Sequence, residues 1–140
     1  MPQIVITRPK QDASSWVQPL HDAGYEAIEF PLLELSAFLN AQTTLEALVQ
    51  IKRSQAVMFV SANAVRFLAQ AQEDRSEWVA HFQSGARAWC TGPGTAAALA
   101  LCGVPVAQID QPALHAKQLD SENLWEVVSP QVTPGMNLLF

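Results

Sequence analysis

The sequence predicts an α/β protein, with a parallel β-sheet flanked by helices. Three junctions predict it. Each is a short apolar run that stops at a small hydroxyl residue, with a helix-like stretch beyond: Ile4-Val5-Ile6-Thr7-Arg8-Pro9, Val57-Met58-Phe59-Val60-Ser61-Ala62-Asn63 and Ala88-Trp89-Cys90-Thr91-Gly92-Pro93-Gly94-Thr95. Strand-like runs alternate with helical patterns along the rest of the chain, as parallel sheets require. Open α/β sheets bind ligands at the carboxyl ends of their strands. There the next helix presents free N–H groups and a partial positive charge, so such a site suits an anion.

The elements follow in order. Ile4–Ile6 reads as a buried strand. Asp12-Ala13-Ser14-Ser15 offers helix caps, Trp16, Val17 and Leu20 have helical spacing, and Gly24 is a C-terminal stop. Pro19 lies inside that helix and predicts a kink or a late start. Ala27 to Pro31 is a second strand. Leu32 to Ala41 is apolar, Pro-flanked and without period, a crossing into a second unit. Thr43-Thr44-Leu45-Glu46 resembles a helix start, with Leu45, Leu48, Val49 and Ile51 as its apolar side. Ala56–Val60 is a strongly buried strand, Asn63–Gln72 a helix, and Ser76-Glu77-Trp78 opens a short helix with Val79 and Phe82. Ala86–Cys90 is a strand, Thr95–Leu101 a helix stopped by Gly103, and Val104–Ile109 another strand. Asp120 caps a helix carrying Leu124, Trp125, Val127 and Val128, and Met136–Phe140 is again strand-like.

Two edges of this plan look unfinished. A terminal strand at Phe140 lacks the helix that should cover its sheet face. The first strand–helix–strand unit, of roughly 35 residues, buries too little apolar surface to stand alone. A longer gene product or a partner subunit is expected to complete it.

Composition narrows the function. Of 140 residues, 49% are hydrophobic, too many for disorder, and only 15% are charged. The net charge of -5 gives no overall field to attract nucleic acid or an anionic membrane, so an anion site has to be local. The N-terminus enters a strand with no basic n-region or apolar h-region. No apolar run approaches the ~18 residues of a membrane span. A cytoplasmic protein is expected. Cys90 and Cys102 read as buried reduced thiols, and no His/Cys spacing indicates a metal.

The candidate residues each carry two readings. Thr91-Gly92-Pro93-Gly94-Thr95 is either an anion-binding loop or a glycine turn with Thr95 as helix cap; no lysine follows, so it is not a Walker loop. Ser61 and Asn63 either meet a ligand or cap a helix. Arg8, at the end of the first strand, either pairs a ligand carboxylate bidentately or makes a surface ion pair. His21, His81 and His115 share no spacing, and no catalytic triad or carboxylate pair stands out. These residues define a fold and an anion site without defining a reaction.

Five segments taken together go further. Ile4-Val5-Ile6-Thr7-Arg8-Pro9, Phe30-Pro31-Leu32-Leu33, Phe59-Val60-Ser61-Ala62-Asn63-Ala64-Val65, Gly92-Pro93-Gly94-Thr95-Ala96-Ala97-Ala98-Leu99 and Asp120-Ser121-Glu122-Asn123-Leu124 follow the order and spacing of uroporphyrinogen-III synthase. The chain resembles that family along nearly its whole length. The resemblance implies a two-domain architecture whose first domain is discontinuous. Residues 1–35 would be the first segment of that domain, which is incomplete here. Residues 36–140 would be a parallel α/β second domain lacking its last helix. This would account for both unfinished edges.

The family's reaction is a cofactor-independent lyase step. Hydroxymethylbilane, a linear tetrapyrrole with eight carboxylates, loses its hydroxyl and closes to uroporphyrinogen III with the fourth pyrrole ring inverted, in haem biosynthesis. On this resemblance Thr7 and Arg8 face an interdomain cleft from one side, and Ser61, Asn63, Thr91 and Thr95 from the other, all as substrate-binding groups. Tyr25 does not match the family's tyrosine thought to assist hydroxyl loss, so no catalytic residue is assigned. The resemblance implies no metal, nucleic acid or membrane partner. The full-length enzyme would be a monomer, whereas this chain would be inactive alone and able to dimerise. Two other readings stay open: a nucleotide- or sugar-phosphate-binding domain using Thr91–Thr95, with Asp110 as its acidic residue, and a non-catalytic interaction module.

Overall fold

A computed structural model of the chain describes every residue except Phe38, Leu39, Glu73 and Arg75. Phe38 and Leu39, in the expected crossing, therefore lie outside the described residues. The chain forms two compact units, Met1–Phe38 and Leu39–Phe140.

The first unit is one strand–helix–strand motif. Strand β1 (Gln3–Ile6) pairs in parallel with β2 (Glu26–Glu29), joined by helix α1 (Lys10–Asp22). The register sets Ile4 beside Ala27 and Val5 beside Ile28. Side chains alternate across a strand, so one face carries Ile4, Ile6 and Ala27 and the other carries Val5 and Ile28. Ile6 is buried, whereas Val5 is 53% exposed. Helix α1 buries Ala13 and half-buries Val17 and Leu20, an i, i+4, i+7 stripe. Trp16 falls outside this stripe and is half exposed, so it is not the core residue its spacing suggested. The helix also starts earlier than expected, with Pro9 at its N-cap and Asp12 inside the first turn. It runs through Pro19 to Asp22. Pro19 and Ser15 are both exposed, so the carbonyl that loses its donor is open to water. Gly24, at φ +84°, supplies the left-handed turn into β2.

The second unit is a four-stranded parallel sheet with the order β5-β4-β3-β6. Its strands are β3 (Ala56–Phe59), β4 (Arg87–Cys90), β5 (Ile109–Asp110) and β6 (Leu138–Leu139). Helices α2 (Ala41–Arg53), α3 (Ala62–Gln70), α4 (Ser76–Gln83), α5 (Pro93–Leu101) and α6 (Ser121–Val128) surround it. The two-residue period of the strands divides the core. Val57, Phe59, Ala88 and Cys90 join Leu48, Ile51, Val65, Leu68, Trp78, Phe82 and Leu99 on the face covered by α2–α5. Ala56 and Trp89 join Leu124 and Val128 on the face covered by α6. Trp78 and Phe82 meet edge to face at 5.9 Å between ring centroids, and both pack on Phe59.

Three expectations change. Helix α2 begins after Asn40, not at Thr43: the Asn40 side chain accepts from Thr43 N–H and the Thr43 hydroxyl from Asn40 N–H, a reciprocal capping box. Its buried stripe is Thr44, Leu48 and Ile51, which leaves Leu45 and Val49 exposed on the neighbouring face. The expected strand over Val104–Ile109 is mostly a 3₁₀ turn at Val106–Gln108, with β5 reduced to two residues. Pro105 has no N–H for a ladder, and its carbonyl instead accepts from Gln108 N–H at 2.8 Å.

Candidate functional site

The sheet order locates the site of the second unit. From β3 the chain moves to β4 and β5 through helices on one face. It then returns by α6 on the other face to β6, on the far side of β3. The order therefore reverses between β3 and β6, and open α/β sheets hold ligands outside the strand ends at such a point. Ser61 follows β3 after one residue, Val60. Phe59 is in register with Cys90, so the β3 and β4 ends are level, and strands that pair lie about 4.8 Å apart. The first turns of α3 and α5 thus open on one edge of the sheet.

Ser61 is the N-cap of α3, with its Oγ accepting from Ala64 N–H at 3.1 Å. A hydroxyl that accepts one bond still has a proton to donate. The N–H groups of Ala62 and Asn63 lie in the first turn, where no intrahelical acceptor exists. Asn63 uses its Oδ1 to accept from the Arg66 guanidinium at 2.9 Å. Arg66 is a cation that the sequence reading missed; its signal was its place one turn after Asn63 on the same face. Thr91 is half-buried at the end of β4. Thr95 is not the helix cap. The N-cap is Gly92, Pro93 takes the first helical position, and Thr95 sits two residues further in at 7% exposure. A proline at that position loses nothing, because its N–H would have been unpaired.

Thr7 and Arg8 belong to the first unit. Thr7 is exposed, and its carbonyl accepts from Leu32 N–H at 3.2 Å. Arg8 is exposed, with its guanidinium carbon 5.6 Å from the centroid of the Trp16 ring. A groove of about 780 Å³ lies in the same unit, between the start of α1 (Pro9, Lys10, Gln11, Ser14) and Pro31–Leu35. Its volume falls within the range of small-molecule sites. Neither Thr7 nor Arg8 lines it, and the sequence reading did not anticipate it. The structure thus groups Ser61, Asn63, Thr91 and Thr95 at adjacent strand ends of the second unit, and Thr7 with Arg8 after β1.

Asp110 is committed elsewhere. Arg87 donates to both of its carboxylate oxygens, from Nε at 2.8 Å and Nη2 at 2.5 Å. Nη1 bonds Ala107 O and Gln108 Oε1. This pairing holds the Arg87 guanidinium above its usual pKa, chiefly through the hydrogen bonds to Asp110. A carboxylate paired in this way is not presented to a ribose, which weakens the dinucleotide reading. Burial pushes the Cys90 thiol up, so it stays protonated and is no nucleophile at neutral pH. His81 Nε2 lies 2.8 Å from Ser54 O and must donate to it, since a carbonyl only accepts; this ring ties α4 to the end of α2.

Among the described residues no group of three or more His, Cys, Asp or Glu is placed to hold a metal, and no helix is long and apolar enough to cross a membrane. Residues 14–140 match the family model described as uroporphyrinogen-III synthase HemD. The chain belongs to the uroporphyrinogen-III synthase family. No curated protein matches it. The match begins within α1, so it takes in Ser61, Asn63, Thr91 and Thr95 but not Thr7 or Arg8. The parallel sheets flanked by helices are those the family resemblance implied.

Proposed function

We propose that the chain recognises hydroxymethylbilane for cyclisation to uroporphyrinogen III. The observation that carries this reading is the pair of helix N-termini at adjacent parallel strand ends, in a chain of this family. A linear octacarboxylate needs several anion sites, and an acidic protein can supply them from backbone N–H groups. On this reading Ser61, Asn63, Thr91 and the first-turn amides beside Thr95 hold substrate carboxylates. Arg8 and Thr7 hold others. The reaction needs no cofactor. Loss of the hydroxyl leaves an electrophilic methylene on the first ring, and the substituted α-carbon of the fourth ring attacks it. A spiro intermediate then fragments and recloses with that ring inverted. Holding the two chain ends together supplies much of the rate.

On the same reading Met1–Leu35 is one segment of a discontinuous domain. Its bare sheet face, with Val5 and Ile28 exposed in register, supports completion by further polypeptide. Binding is therefore expected of this chain, and ring closure only of the completed domain.

The test is calorimetric titration of the chain with a linear octacarboxylate bilane that lacks the leaving hydroxyl and cannot cyclise. Binding of this bilane, with no binding of nucleotides, supports the proposal. Nucleotide binding without bilane binding rejects it.

A further inference from the structure

We propose that Trp16 is a positioning residue for a carboxylate-binding Arg8; the inference rests on the substrate reading above. The observation behind it is the Arg8 guanidinium lying over the Trp16 ring at 5.6 Å. Among the described residues the Arg8 side chain makes no hydrogen bond or ion pair, so its recorded partner is that ring.

The buried stripe of α1 is Ala13, Val17 and Leu20, and Trp16 stands beside that stripe with 48% of its surface exposed. Side chains on a helix lean toward its N-terminus and cover the turn before their own Cα. Trp16 is the seventh residue of α1, so its ring reaches back toward the loop that carries Arg8.

A cation–π contact suits a carboxylate receptor. The ring attracts the guanidinium charge and offers no oxygen acceptor that competes with a carboxylate. The contact can therefore hold the side chain while its fork of donors serves a bidentate carboxylate. A free arginine would lose rotamer freedom when it bound; one already held loses less. Lysine at position 8 would keep the charge but lose the bidentate fork.

The experiment titrates the non-cyclisable bilane into the chain and into the variants Arg8→Gln, Trp16→Leu, Trp16→Phe and Arg8→Gln/Trp16→Leu, with a thermal melt of each. Arg8→Gln is expected to weaken binding about tenfold or more, the loss of a charge-assisted bond. Trp16→Leu is expected to weaken it roughly three-fold, in line with an exposed cation–π contact. Trp16→Phe should recover part of that loss, and Trp16→Leu should add nothing in the Arg8→Gln background. A Trp16→Leu effect of equal size in both backgrounds would show that Trp16 acts independently of Arg8 and overturns the inference. So does an effect of Arg8→Gln with none of Trp16→Leu, which leaves the substrate reading standing. Bilane binding indifferent to Arg8→Gln removes Arg8 from the site and Trp16 with it. Failure of the unaltered chain to bind the bilane sinks the substrate reading and this inference together.

Discussion

Replacing Arg87 by methionine should destabilise the second unit more than any surface charge substitution. Arg87 keeps 27% of its side-chain surface and Asp110 only 9%. The guanidinium makes four hydrogen bonds, two to Asp110 and one each to Ala107 O and Gln108 Oε1, and so fastens the two-residue strand β5 to β4. Methionine keeps most of the apolar stem and removes every donor, leaving the Asp110 carboxylate buried without its partner. Breaking a buried pair in this way costs about 3–5 kcal/mol. Partial exposure of Arg87 admits water, which places the expected cost near the lower end, about 3 kcal/mol. For a chain of this size that is a fall in Tm of roughly 10 °C. Urea denaturation followed by circular dichroism measures it, and Arg87→Met/Asp110→Leu should be less destabilised than Arg87→Met alone, because no stranded charge remains. A loss below about 0.5 kcal/mol, the range of an ordinary surface substitution, would refute the claim that this pair fastens β5.

The remaining stability predictions follow from the core. Phe82→Ala removes a fully buried ring packed on Trp78 and Phe59 and should cost about 3–5 kcal/mol in the same assay. That is a large part of the 5–15 kcal/mol typical of a domain. The Cys90 thiol has its folded pKa raised above the ordinary 9.0 by burial. Its contribution is therefore fully present below that value and is lost as pH rises through the folded pKa, because the unfolded chain releases the proton first. Alkaline melts should show a steeper loss of Tm above about pH 9 for the native chain than for Cys90→Ala. Thiol-specific labelling at pH 8 should modify half-exposed Cys102 well before Cys90.

Much of the fold was legible because strand cores declare themselves. Ile4–Ile6 and Ala56–Val60 are continuous apolar runs and Ala86–Cys90 is one interrupted by Arg87 alone, and each became a strand within about a residue of its expected bounds. Asp120 was legible as a cap, and its carboxylate accepts from Asn123 N–H at 2.9 Å. Val104–Ile109 misled because its composition suits a strand while Pro105 forbids the ladder. Trp16 misled because hydrophobicity does not say which side of a stripe a residue occupies. The order of the strands was not written in any local pattern. The reversal between β3 and β6, which singles out the end of β3, became visible only in the sheet. The Arg87–Asp110 pair was hidden for the same reason, since its partners lie on neighbouring strands 23 residues apart in sequence. At the candidate site, the chain pattern left Ser61 as either cap or ligand contact; the structure shows the cap in place, and a capping hydroxyl still has a proton to donate.

That double use makes Ser61→Asp the most direct test of an anion site at the α3 N-terminus. Aspartate caps a helix about as well as serine, so the melting temperature should be unchanged or slightly raised. The new carboxylate, however, occupies the donors and repels an incoming one. Titration with the non-cyclisable bilane should then show affinity reduced about tenfold or more, the scale of one lost charge-assisted hydrogen bond. Unchanged bilane affinity in a stable Ser61→Asp chain would contradict the account.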